Sequence, residues 1–150
     1  MSLASFLREN RRPLSAGVLL TFSSSYGQTY FIALFAAQVM AAYNLTDGQW
    51  GGIYTVSTTA SAIVMFWAGA LTDSYRVRAL AWGVIPGLAL VCLAMAANST
   101  LVGLIVIIFL LRLLGQGMMS QFASVSMARW FAGRRGLALS ISAMGFAVGQ

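Results

Sequence analysis

Arg112 is the residue of this sequence best placed to do chemistry. It interrupts an apolar run from about Leu101 to Met127 and falls near its middle. If that run lies in hydrocarbon, a charge there costs at least about 2.5–3.5 kcal/mol, so it must face protein or water. Gln116 and Ser120 follow at i+4 and i+8 and share its helix face. A fixed cation beside an amide can bind an anionic solute or take part in proton coupling. It can equally be structural, bonded to polar groups of a neighbouring helix, and the sequence leaves both uses open.

A second polar group lies inside the first apolar run. Seven of the eight residues from Ser23 to Tyr30 carry a hydroxyl or an amide. Tyr26, Gln28 and Tyr30 are the candidates for lining a cavity; the other reading is hydrogen bonding between helices alone. The third feature is the turn Gly69-Ala-Leu71-Thr-Asp73-Ser-Tyr-Arg76-Val-Arg78, which joins two long uncharged runs. Gly69 lets another helix approach closely. Asp73 can sit against a helix N-terminus, where unpaired N–H groups favour a negative charge. Arg76 and Arg78 can pair with it or with acidic lipid.

Bond-making chemistry is poorly provided for. There is no histidine, and the acids are Glu9, Asp47 and Asp73 only. A His/Cys zinc site lacks its ligands, and two acids in separate loops make a poor carboxylate pair. Cys92 is the single cysteine, so no intrachain disulfide is possible. An enzyme is not expected, nor a metal or cofactor. The net charge of +6 comes from nine basic residues, all arginines, grouped at the ends of apolar runs. Membrane topology accounts for that grouping better than nucleic-acid binding does.

The elements that must position these residues are membrane spans. Hydrophobic residues make up 59% of the chain and charged residues 8%, against about a quarter charged in soluble domains. With about 20 residues per span, there is room for four or five. Residues 1–13 read as a polar-basic tail carrying Arg8, Arg11 and Arg12. Spans are expected at about 14–42, 50–72, 79–97 and 101–127, with a fifth from about 137. The polar interruption and resumed apolar sequence favour an uncleaved first span over a signal peptide. The fifth run reaches only about 22 Å at 1.5 Å per residue, short of a core about 30 Å thick. The chain is therefore expected to be the first part of a longer protein, inactive alone, with the remaining half as its partner.

Orientation follows from the arginines. The tail, the 69–78 turn and the turn at 129–136 carry all of them except Arg112, while the loops at 43–49 and 98–100 carry none. Alternating spans put the three basic segments on one side, which predicts a cytoplasmic N-terminus in the cell (inner) membrane.

The 69–78 turn resembles motif A of the major facilitator superfamily, a Gly-x-Leu-x-Asp-Arg-x-Gly-Arg-Arg type pattern. Gly69, Leu71, Asp73 and Arg78 match; Ser74, Arg76 and Val77 depart from it. Arg112-Leu-Leu-Gly-Gln116-Gly resembles the family's motif B with Gln and Gly displaced. Trp130, Phe131, Arg134, Arg135, Gly136 and Ala138 are similar to the turn before span five in monocarboxylate-porter and oxalate/formate-type branches. The resemblance implies an all-α membrane bundle, seen here as the first four spans and part of a fifth. It implies a secondary transporter working by alternating access on a small solute, with a co-transported or exchanged ion and the lipid bilayer as further partners. Gly69, Leu71, Asp73, Arg76 and Arg78 would form a conformational latch, and span one would line the central cavity. Arg112 suits a small organic anion. The alternative is a non-transporting membrane subunit of four or five spans.

Overall fold

Long apolar segments in a bilayer must satisfy every backbone group internally, and only helices and closed barrels do so. The computed structural model describes residues 3–149, and every regular element among them is helical. The first two residues of the expected tail and Gln150 lie outside the described residues. In chain order the helices are α1 (Leu3–Glu9), α2 (Arg11–Ser24), α3 (Thr29–Leu34), α4 (Ala36–Ala42), α5 (Asp47–Ser74) and α6 (Val77–Ala97). After them come α7 (Leu101–Leu110), a π-helical segment (Leu111–Met119), α8 (Ser120–Trp130) and α9 (Arg135–Val148). Short 3-10 turns cover Ser25–Gly27 and Ala132–Arg134.

Among the described residues three helices are long and apolar enough to cross a membrane: Asp47–Ser74, Val77–Ala97 and the continuous Leu101–Trp130. Their ends are set by local chemistry. Thr46 caps α5: its hydroxyl accepts from Gln49 N at 3.3 Å, and Gln49 Oε1 accepts from Thr46 N at 2.9 Å. This reciprocal box satisfies two backbone donors the helix start leaves unpaired. Tyr75 and Arg76 are extended and end that helix. Thr100 caps α7 by accepting from Gly103 N at 3.1 Å. Asn44, with φ of 52°, turns the chain out of α4 through the left-handed region that Asn tolerates.

The segment expected as the first span, 14–42, is helical in pieces. The helix stops at Ser24, passes through a 3-10 turn and an extended Gln28, and restarts at Thr29, with a further break at Phe35. Serine and threonine side chains compete for backbone groups here. Ser24 Oγ donates to Thr21 O at 2.7 Å. Within the basic tail, α1 buries Phe6. Its ring meets Phe131 edge-on at 5.4 Å, with Arg134 stacked 5.4 Å from the Phe6 centroid.

Packing centres on the Leu101–Trp130 helix. Leu104, Ile108, Met119, Phe122 and Met127 along it are essentially inaccessible. Leu88 and Val91 of α6 pack against Ile107, Leu111, Met118 and Phe122, while Val39 of α4 packs against Leu104 and Ile108. Two crossings are close enough to need glycine. At one, Gly145 of α9 presses on α2, where Thr21 Oγ1 donates to Ser142 O. At the other, Gly27 lies against the π-segment. A Cβ on Gly115 would stand 2.8 Å from Gly27 Cα, and a Cβ on Gly27 would strike Leu111 O and Gln116 N. Small residues let membrane helices approach to backbone contact in this way.

The neighbours of Gly27 are backbone atoms and cannot rotate aside. Gly27→Ala is expected to destabilise the protein by about 1–3 kcal/mol. Gly133→Ala, with open space around it, is expected to stay within about 0.5 kcal/mol. Unfolding in mild detergent, followed by circular dichroism, compares the two.

Candidate functional site

The helix-one break and the π-segment meet where Arg112 lies. With Gln28 extended, the Gly27 carbonyl is turned out of the helical ladder. Arg112 Nη1 donates to it at 3.3 Å and to Thr29 Oγ1 at 2.9 Å. Tyr54 of α5 donates from its hydroxyl to the same Thr29 Oγ1 at 3.0 Å, and its ring centroid lies 5.5 Å from the guanidinium carbon. The structural partnership left open by the sequence is thus present: Arg112 binds polar groups of the first span. It uses only part of a five-donor guanidinium. Arg112 is 9% exposed, and its Nε has no partner.

Arg112 also borders a cavity of about 360 Å³ between α5 and the π-segment and α8. Its polar lining includes Thr58, Ser61, Gln116, Ser120 and Gln121. Thr58 Oγ1, Gln116 Oε1 and Ser120 Oγ are buried without hydrogen-bond partners. Native interiors leave few such atoms, and each calls for an explanation. Arg112 and Gln116 lie in the π-segment, whose turns are wider than those of an α-helix, and with Ser120 at its end they line one cavity.

Of the sequence candidates, Arg112 and Gln116 come together. Tyr26, Gln28 and Tyr30 do not join them. Tyr26 lines a separate apolar cavity of about 280 Å³ with Phe31, Phe35, Trp50 and Cys92. Gln28 is the extended residue at the start of α3, and Tyr30 donates to Ser25 Oγ at 2.7 Å. Sequence reasoning passed over Thr29, Tyr54, Thr58 and Ser61. The polar run Ser57-Thr58-Thr59 inside an apolar span was the available signal for the last two.

The 69–78 turn also differs from expectation. Asp73 pairs neither with Arg76 nor with Arg78. Its Oδ1 lies 3.6 Å from Arg129 Nη2, which also donates to Thr72 O at 2.7 Å. Arg129 ends α8, so this contact ties the turn to the cytoplasmic end expected for the Leu101–Trp130 helix. Gly69 lies close to Met65 Cε, and Leu71 is exposed. Arg78 lies along one side of α6 with Trp82 and Pro86.

Compared with known protein families, residues 17–150 match the model described as Major Facilitator Superfamily. Searches of curated proteins and of solved structures find no match.

The Asp73 carboxylate is 82% exposed and Arg129 47%, so solvent screens their attraction. A double-mutant cycle on Asp73→Asn and Arg129→Gln is expected to give a coupling below about 1 kcal/mol. Arg129→Gln alone is expected to cost more than Asp73→Asn, because it also weakens the bond to the Thr72 carbonyl. Denaturant unfolding in detergent measures all three differences.

Proposed function

Because this chain belongs to the major facilitator superfamily, a family of secondary transporters, we propose that it serves the transport of a small organic anion by alternating access, with Arg112 as the anion-binding charge. The observation that carries this reading is Arg112 itself. It is a buried cation within a membrane-spanning helix, without a carboxylate partner among the described residues, at the edge of a polar cavity. Such a cation marks a substrate or ion pathway by default. The hydrogen bonds to Gly27 and Thr29 hold the guanidinium in place and leave Nε for a ligand. Gln116 stands one turn away as the adjoining polar contact.

The protein is an integral membrane protein. We place its N-terminus in the cytoplasm, in the cell membrane, on the strength of the arginine distribution. The Trp130–Ala138 turn supports a position near the monocarboxylate-porter or oxalate/formate-type branches. We assign the Gly69–Arg78 turn the part of a conformational latch. Asp73 would work through Arg129, with Gly69 and Leu71 on the helix side and Arg76 and Arg78 toward the membrane surface. The Asp73–Arg129 contact supports this by joining two spans that the loops alone do not hold together.

Charge-assisted hydrogen bonds are worth about 1.5–3 kcal/mol. Arg112→Gln in the product of the complete reading frame is accordingly expected to weaken anion binding at least about tenfold. Binding measured by anion-dependent thermal stabilisation checks this, and unchanged affinity would remove the anion role. For the latch, Asp73→Asn is expected to shift the balance of access states seen by distance measurements between spin labels; unchanged populations and transport rates would remove it.

A further inference from the structure

Arg112 accounts for one end of the cavity only. The rest of its polar lining has no ligand assigned to it, and it is not what a short alkyl carboxylate needs. Beyond Arg112 the wall carries the Gln116 amide and the hydroxyls of Thr58, Ser61 and Ser120. Thr58 Oγ1, Gln116 Oε1 and Ser120 Oγ make no hydrogen bond within the protein. Ser61 Oγ donates to Thr58 O at 2.8 Å and keeps its lone pairs for a donor. An apolar tail placed here would leave all of these groups desolvated and unpaired, at a cost for each. A chain of hydroxyls, each both donor and acceptor, would satisfy them.

The geometry points to a polyhydroxylated carboxylate, of the sugar-acid type, as the solute bound in this cavity. Its carboxylate takes the Arg112 Nε, and its hydroxyls take Gln116, Thr58 and Ser120. This assignment rests on the anion reading above and specifies it.

Gluconate and hexanoate separate the two ideas, since they share a carboxylate and a six-carbon length. Both are titrated against the purified product of the complete reading frame, with binding followed by calorimetry and thermal stabilisation. Gluconate is expected to bind at least about tenfold more tightly than hexanoate. Thr58→Val and Ser120→Ala each delete a hydroxyl without a partner in the protein, so both variants are expected to fold as well as the parent. Together they are expected to weaken gluconate about tenfold and to strengthen hexanoate, whose tail then leaves fewer hydroxyls unpaired. Arg112→Gln is expected to weaken both ligands. If hexanoate binds as well as gluconate, or the double variant leaves gluconate unchanged, the sugar-acid assignment is overturned while the effect of Arg112→Gln still upholds the anion reading. If Arg112→Gln changes neither ligand, both fall. Absence of gluconate binding overturns the assignment outright.

Discussion

A full positive charge is held inside hydrocarbon-spanning helices, and much of the remaining architecture follows from it. Arg112 cannot stand in lipid, where its cost at a helix centre is at least about 2.5–3.5 kcal/mol. It needs acceptors, and the carbonyls of an intact helix already give one lone pair to their own ladder. The first span supplies one by breaking. The extended Gln28 frees the Gly27 carbonyl, and Thr29 adds a hydroxyl beside it. Reaching that carbonyl requires the two backbones almost to touch, and this explains glycine at both 27 and 115. Gln116 and Ser120 line the same cavity as the charge.

The all-helical membrane architecture was legible from composition and apolar run lengths, because a bilayer leaves a chain so few choices. Arg112 was legible for the same reason: one charge in an apolar run admits few explanations. The break in the first span was visible only as a weakness. Gly27 is a poor helix residue, but the apolar runs on either side of the polar stretch are together long enough to span. What decides the break is the approach of Gly115, from a segment 88 positions later in the numbering. The π-segment had no local signal at all. Thr58 and Ser61 were hidden among several hydroxyl residues of α5, because the rotation of α5 against α8 decides which of them turn inward. The Arg129 partner of Asp73 was missed for a similar reason: two nearer arginines, Arg76 and Arg78, offered themselves first.

The packing is uneven in a way that suits a membrane. Crossings between the first span and α9, and between Gly27 and Gly115, are closed to backbone contact. By contrast α5 and α6 expose Phe66, Trp67, Trp82, Leu90 and Leu93. In water such faces would drive association. Lipid tails are as apolar as those side chains, so between helices in a bilayer close fit and hydrogen bonds decide association. The same contrast explains why polar atoms left without partners stand out.

Tyr43 and Asn98 join the two loops that carry no arginine. The Tyr43 hydroxyl donates to Asn98 O at 2.8 Å and accepts from Asn98 Nδ2 at 2.7 Å, and that nitrogen also donates to Thr100 O at 2.8 Å. Asn98-Ser-Thr100 has the spelling of a glycan acceptor. The atom a sugar would have to bond is the one that clasps the two loops. Once the chain is folded, a glycosylating enzyme would find that amide already engaged at the foot of two spans, and attachment there would unfasten them.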